Sequence, residues 1–156
     1  MSRILIVLCL GIVLASCASN RGRLDVRVQQ SPAAAANAVP LKIVAVTDKR
    51  VFQINPRQPS IPSLKHGEIN NPAITKRAIA RKRGGFGMAV GDILLPEGRT
   101  VEDVTRETLV KALTKKGYRV LKPGDPGYED APALSAEIHQ FWSWFTPGFW
   151  RMATTL

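Results

Sequence analysis

The sequence predicts an α+β fold in which a small sheet carries one main helix on one of its faces. Three observations favour this class: a strand of buried type over 41–48, one capped helix over 101–116, and short strand patterns after that helix. The chain has 156 residues, 45% of them hydrophobic, which suits one modest core. We therefore expect a single folded domain over 41–156.

The first predicted strand runs from Leu41 to Asp48. Its residues are mainly apolar and β-branched, and a turn-forming aspartate closes it. Three prolines then predict a loop over 52–64. The segment 74–83 fits either an edge strand or a helical turn, because its periodicity does not decide between them. An apolar stretch follows over 88–95.

The predicted helix begins after Thr100 and ends near Lys116. Thr100 and Asp103 have the spacing of a capping box, and Gly117 has the position of a C-terminal cap. One apolar face is predicted, formed by Val101, Val104, Thr108, Leu109, Ala112 and Leu113.

Two further strands are predicted after the helix. Tyr118 to Leu121 follows Gly117 directly, and a Pro- and Gly-rich turn over 122–127 comes next. Apolar and polar residues then alternate over 134–138, as in a half-buried strand that leads into an aromatic segment.

The N-terminus has the pattern of a bacterial lipoprotein signal over residues 1–16. Arg3 precedes an apolar run, and Leu14-Ala15-Ser16-Cys17 resembles the lipobox, in which the cysteine takes a diacylglyceryl group. The run is too short for a membrane span, which needs roughly 20 apolar residues. An ordinary cleaved secretory signal is the alternative. Cys9 would be removed with the signal, so Cys17 would be the sole mature thiol and no intramolecular disulfide could form.

Residues 17–40 are interpreted as a lipidated, flexible tether rich in small and polar residues. A short strand over 24–28 that docks on the domain is the alternative. The residues after Cys17 include no aspartate at the position that retains lipoproteins in the inner membrane. We therefore expect attachment to the outer membrane, facing the periplasm.

The charge is strongly positive. Removal of residues 1–16 takes away one of 22 basic side chains and none of the 12 acidic ones, which lowers the net charge from +10 to +9. A basic cluster is predicted to bind anions and comprises Lys76, Arg77, Arg81, Lys82 and Arg83. Export would exclude nucleic acid as the partner and leave lipid head groups and anionic envelope polymers. A solvated face without a specific role is the alternative.

The aromatic segment is the second candidate binding region. Its members are Phe141, Trp142, Trp144, Phe145 and Trp150. In a strand, bulky side chains would lie on both faces, so one face is predicted to meet an envelope protein partner or a second copy of the chain. Packing in the core is the alternative.

Several short motifs together resemble the YajG family of bacterial lipoproteins. They are Gly85-Phe86-Gly87-Met88, Asp92-Ile93, Gly117-Tyr118, Ala136-Glu137-Ile138 and the segment 141–145. The resemblance implies an outer-membrane lipoprotein of uncharacterised role with a small α/β domain, and it brings no catalytic residues. The chain departs from the family pattern by ending at Leu156, soon after the aromatic segment, where a further hairpin or strand is expected. A shortened C-terminus is one interpretation of this difference.

No pattern of catalytic or metal-binding type stands out. His66 and His139 lack ligand spacing, and no nucleophile elbow is present. The glycines of 84–87 predict a tight turn or bulge, since the residues after them indicate a strand and not the helix of a phosphate-binding loop. We expect no enzyme, no metal and no cofactor.

The function expected from the sequence is that of a non-catalytic envelope lipoprotein that binds a protein. An accessory lipoprotein of an envelope transport system and a binder of anionic envelope polymers are the alternatives.

Overall fold

The computed structural model describes residues 21–29, 33–84, 86–147 and 152–155. The predicted signal over 1–16, Cys17 and Trp150 lie outside these residues. The described part is a mixed α+β fold, as the sequence predicts. Its strands are β1 (Gly22–Arg23), β2 (Val39–Asp48), β3 (Ala78–Arg83), β4 (Ala89–Leu94), β5 (Tyr118–Leu121), β6 (Ala133–Ile138), β7 (Ser143–Pro147) and β8 (Met152–Thr155). Its helices are a 3₁₀ helix (Lys65–Asn70), α1 (Pro72–Thr75) and α2 (Val101–Lys115).

The chain divides into two compact units, each with its own sheet. Unit 1 contains the described residues up to Leu24, Val51–Pro96, and those from Trp142 onward. Unit 2 contains the described residues of Asp25–Arg50 and Glu97–Phe141.

Unit 2 is built on a parallel sheet with the strand order β5-β2-β6. The three strands confirm the predictions made for 41–48, 118–121 and 134–138. Helix α2 packs on β5 and β2. The buried apolar residues of this unit are Leu41, Ile43, Val101, Val104, Leu121, Ala131 and Ile138.

Helix α2 begins with the predicted capping box. The Thr100 Oγ1 accepts a hydrogen bond from the Asp103 amide at 3.2 Å, and the Thr100 amide donates to Asp103 Oδ2 at 2.8 Å. The predicted apolar face is only partly buried. Val101 and Val104 are buried, whereas Thr108 and Ala112 are exposed. Thr108 lines an open cleft together with the end of β6.

Unit 1 is built on a mixed sheet with the strand order β1-β4-β3-β7-β8. Strands β3 and β4 form an antiparallel hairpin. Its turn is closed by hydrogen bonds from Gly87 N to Gly84 O and from Gly84 N to Met88 O, both 2.8 Å. Gly87 has φ +78°, a conformation that favours glycine. The predicted tight turn over 84–87 is thereby confirmed.

The ambiguous segment 74–83 contains both kinds of structure. It begins in the short helix α1 and continues as strand β3. Ala78, Ile79 and Ala80 are all buried, so the strand lacks the alternation that identifies a half-buried strand in a sequence.

Part of the segment predicted as a tether belongs to the sheet of unit 1. Gly22 and Arg23 pair in parallel with Ile93 and Leu94. The Leu24 amide continues the pairing by donating to the Leu94 carbonyl oxygen at 2.9 Å. The chain therefore joins unit 1 only five residues after Cys17.

The aromatic segment enters the same sheet as β7, which pairs in parallel with β3. Strand β8 then pairs antiparallel with β7. A strand therefore follows the aromatic segment within this chain.

Candidate anion-binding site

The predicted basic cluster lies in unit 1, and its members have different surroundings. Lys76 is exposed at the end of α1. Arg77 is half-buried and donates from Nε and Nη2 to the Leu95 carbonyl oxygen, at 3.1 and 2.9 Å. The Leu95 amide also donates to the Arg77 carbonyl oxygen. The Arg77 side chain therefore stabilises the contact between the residues that precede β3 and those that follow β4.

Strand β3 separates the remaining three cations. Residues that alternate along a strand share a face, so Arg81 and Arg83 lie on one face and Lys82 lies on the other. Arg81 is 4% exposed and Arg83 is 9% exposed, whereas Lys82 is half-buried. Buried arginines are rare unless their charge is compensated, so the environment of this pair is informative.

Asp92 compensates the charge of Arg81. It lies opposite Arg81 in the β3–β4 register and is 1% exposed. Its Oδ1 accepts a hydrogen bond from Arg81 Nη1, and its Oδ2 accepts one from Arg21 Nη2 at 2.9 Å. The Lys65 amide lies 3.3 Å from Oδ1. This buried carboxylate therefore holds two guanidinium groups, from β3 and from the residue before β1.

Arg83 has no such partner within the described part of the chain. Its Nη1 donates to the Gly87 carbonyl oxygen at 2.9 Å, and no described carboxylate lies within ion-pair distance of it. Burial, and secondarily the positive charge of Arg81, lower the pKa of Arg83. A buried cation next to another cation is unfavourable, and a bound anion would relieve this.

The Nε atoms of Arg81 and Arg83 are both buried and have no hydrogen-bond partner among the described residues. Most buried polar groups in folded proteins are hydrogen-bonded, and a buried donor left unpaired costs about 1–3 kcal/mol. The two donors leave hydrogen-bonding capacity unused on this face of β3, although neither Nε atom is itself accessible to solvent.

A cavity of about 300 Å³ lies beside these two arginines. In addition to Arg81 and Arg83, its walls are formed by Asn55, Pro56, Ser63, Gly87, Met88 and Ala89. Ser63 is 3% exposed and adds a hydroxyl group, which can donate or accept a hydrogen bond. The cavity therefore combines two cationic groups with polar and apolar walls.

The aromatic segment contributes to packing in unit 1 rather than to this cavity. Trp142 packs on the core residues Leu64, Ala78 and Leu94 and meets Phe52 edge-to-face at 5.9 Å. Its Nε1 donates to the Pro59 carbonyl oxygen at 3.2 Å.

The other aromatic candidates differ from Trp142 in their surroundings. Trp144 is half-buried in β7, and the Phe141 carbonyl oxygen accepts a hydrogen bond from Arg50 within unit 2 at 3.0 Å. The side chain of Phe145 and all of Trp150 lie outside the described part.

Unit 2 has a second, open cleft of about 440 Å³. It is lined by Thr105, Thr108 and residues 137–141. His139 Nε2 lies 3.1 Å from Glu137 Oε2, and both side chains are mostly exposed. Across the described ranges, no group of three His, Cys, Asp or Glu side chains is arranged to hold a metal ion.

Asp92, Arg21 and Ser63 are the site residues that sequence reasoning missed. For Asp92 the sequence does contain a signal, because an acidic residue lies within an apolar stretch that follows the basic residues across a predicted turn. Arg21 lies in the predicted tether and Ser63 in a predicted loop, so no sequence pattern indicates a site at either position.

Comparisons with protein-family models, with curated proteins and with solved structures gave no match to this chain. The resemblance to the YajG family stays a prediction. Among the described residues, no helix has the length and apolar character that crossing a membrane requires.

Proposed function

We propose that this chain is a non-catalytic envelope lipoprotein, anchored through lipid on Cys17, that binds an anionic group in the cavity beside Arg81 and Arg83. The observation that carries the binding role is the cavity lined by Arg81 and Arg83, with the charge of Arg83 paired to no described carboxylate and its Nη1 bonded to the Gly87 carbonyl oxygen. The lipobox-like sequence ending in Cys17 supports the anchor.

Arginine suits this role for chemical reasons. Its planar guanidinium presents donors in a fixed arrangement that matches the oxygens of a phosphate or carboxylate. Arg81 is already held in place by Asp92, so little conformational freedom would be lost when an anion binds. Arg83 supplies the positive charge that no described carboxylate compensates.

The aromatic segment is less suited to be the main binding region, because Trp142 is engaged in the core and its indole N–H is hydrogen-bonded. An envelope protein partner or a second copy of the chain docking on this segment stays a prediction. The outer membrane as the site of attachment, facing the periplasm, is part of the proposal and is supported by the residues after Cys17.

The anchor is tested by expressing the full-length gene in bacteria with radiolabelled palmitate. We expect the protein to be labelled and to sediment with membranes. A Cys17→Ser variant should lose the label, whereas a Cys9→Ser variant should retain it because Cys9 is removed with the signal. Equal labelling of the Cys17→Ser variant and the parent would refute the anchor.

The anion site is tested by calorimetric titration of the detergent-solubilised, lipidated protein with inorganic phosphate. Replacement of Arg83 by Met should weaken binding at least about tenfold, because a hydrogen bond to a charged group contributes about 1.5–3 kcal/mol. Arg119→Met is the matched control, since it removes the same charge at an exposed position of β5. Binding that falls equally in both variants would show a general charge effect and contradict the site.

A further inference from the structure

We infer that the ligand of the Arg81–Arg83 cavity is the phosphate head group of an anionic membrane lipid, which unit 1 binds at the surface of the bilayer. This inference rests on the proposed function, because it uses the lipid anchor on Cys17 and the anion site together. Three observations support it: the apolar rim of the cavity, the volume of the cavity, and the short connection from the anchor to the sheet.

One exposed apolar side chain lines the cavity, and two more belong to residues next to lining residues in the chain. Met88 lines the cavity and is 66% exposed. Phe86, at the tip of the β3–β4 turn, is 95% exposed. On another wall, Ile54 precedes the lining residues Asn55 and Pro56 and is 64% exposed.

A cationic pocket with exposed apolar residues beside it suits a ligand that has both an anionic and an apolar part. The phosphate would be held by the arginines, while Phe86 and Met88 would enter the apolar part of the interface. A free inorganic phosphate or a polar polymer would leave these apolar side chains in water. Charge and apolar surface together therefore favour a lipid over either of those ligands.

The cavity has room for such a head group. A volume of about 300 Å³ is about twenty times the roughly 15 Å³ that a cavity needs, by the same measure, to hold one water molecule. It can therefore contain a phosphate with part of its glycerol ester, while the acyl chains stay outside.

The chain connection limits how far the cavity can lie from the membrane. Gly22 in β1 is five residues after Cys17, which can span at most roughly 18 Å when fully extended. Strand β3 is the second neighbour of β1 in the sheet, a distance of about 10 Å. The strand that carries Arg81 and Arg83 therefore stays near the bilayer surface, where lipid phosphates are concentrated.

The test uses the full-length, lipidated protein with one thiol introduced by Phe86→Cys and labelled with an environment-sensitive dye. Under the proposed function, no other free thiol remains in the mature chain. The protein is reconstituted in three kinds of vesicle that contain a brominated, quenching phosphatidylcholine: phosphatidylcholine alone, with added phosphatidic acid, or with added oleic acid as a phosphate-free anion.

We expect the dye at position 86 to be quenched most strongly in the vesicles with phosphatidic acid. Its phosphate offers the two arginines more acceptor oxygens and more charge than the carboxylate of oleic acid, and it lacks the choline cation that compensates the phosphate of phosphatidylcholine. Arg83→Met in the same labelled protein should remove this difference, and Arg119→Met should retain it. A dye placed by Lys115→Cys, at an exposed position of α2, should respond equally to the three vesicles. Equal quenching at position 86 in the three vesicle types, or a response that persists in Arg83→Met, would overturn the inference.

Failure of the inference and failure of the proposed function are distinguishable. If inorganic phosphate binds in an Arg83-dependent way but position 86 is not quenched, the ligand is a free phosphate and only the lipid inference falls. If the protein does not float with vesicles, or if it binds no phosphate, the proposed function itself fails.

Discussion

Arg81 and Arg83 lie two positions apart on one strand but have different electrostatic environments. Arg81 is paired with the buried carboxylate of Asp92, while the acceptor of Arg83 among the described residues is the Gly87 carbonyl oxygen. We therefore expect the first arginine to contribute to stability, and the second to be the main contact of the proposed anion. Composition alone placed both in one basic cluster, because their partners lie across the hairpin and not along the chain.

Arg81→Met is expected to lower the free energy of unfolding by about 2–4 kcal/mol. Removal of one partner from a buried ion pair leaves an uncompensated charge, although Arg21 still pairs with Asp92. Urea denaturation followed by circular dichroism measures the change. Arg119→Met is the control and should stay within about 0.5 kcal/mol of the parent. An equal, small effect of both variants would show that the Arg81–Asp92 pair contributes nothing to stability.

Trp142→Ala is expected to destabilise the chain by at least about 2 kcal/mol, because the indole packs on the core of unit 1 and fills space that Ala leaves empty. Phe86→Ala is the matched aromatic control and should have almost no effect, since its side chain is 95% exposed. Thermal unfolding of both variants is the measurement. A stable Trp142→Ala variant that lost a bound protein partner would instead support docking on the aromatic segment.

Among the secondary-structure elements, the sequence predicts features formed by nearby residues, but it does not predict the place of a strand in its sheet. The capping box of α2 is formed by residues three positions apart, so the sequence predicts it. Strand β3 was ambiguous because Ala78, Ile79 and Ala80 are all buried and its pairing with β4 is irregular between Ala78 and Ala80, so the apolar and polar residues do not alternate. The pairing of Gly22 and Arg23 with β4 depends on residues far along the chain and has no local signal.

The capping box predicts a pH dependence of stability. Hydrogen bonds from the Thr100 hydroxyl and amide, with smaller contributions from Arg99 and Arg106, lower the pKa of Asp103 below its ordinary value of 3.8. The folded state thus favours the carboxylate. Its stabilising contribution is complete above the ordinary pKa and is lost as the pH falls through the lower, folded-state value.

Asp103→Asn should therefore destabilise the protein by about 0.5–1 kcal/mol at pH 7 and progressively less as the medium becomes more acidic than pH 3.8. Parallel urea titrations at neutral and acidic pH measure the difference between parent and variant. Asp130→Asn, at an exposed loop position, should show no such trend. A difference that stayed constant down to the lowest pH would mean that the charge of Asp103 is irrelevant to the cap.

For the molecule as a whole, the sequence patterns do not predict the division into two units. Unit 1 is assembled from three separated segments of the chain, and its sheet is completed by the parallel pairing of β7 with β3. Pairing between strands far apart in the chain produces no periodic pattern in the sequence. The α+β class was predictable, because it needs only the types of the elements and not their partners.

If Arg81 and Arg83 together hold an anion, as we propose, the Nε–H resonances of both guanidinium groups should respond to it. In the lipidated protein with ¹⁵N-labelled arginine, in detergent micelles, the two Nε–H resonances are identified by their loss in Arg81→Lys and Arg83→Lys. We predict that both resonances shift and saturate as inorganic phosphate is added, while that of exposed Arg119 does not saturate. Resonances of Arg81 and Arg83 that stayed unchanged, or that drifted in proportion with Arg119, would contradict anion binding by these two arginines.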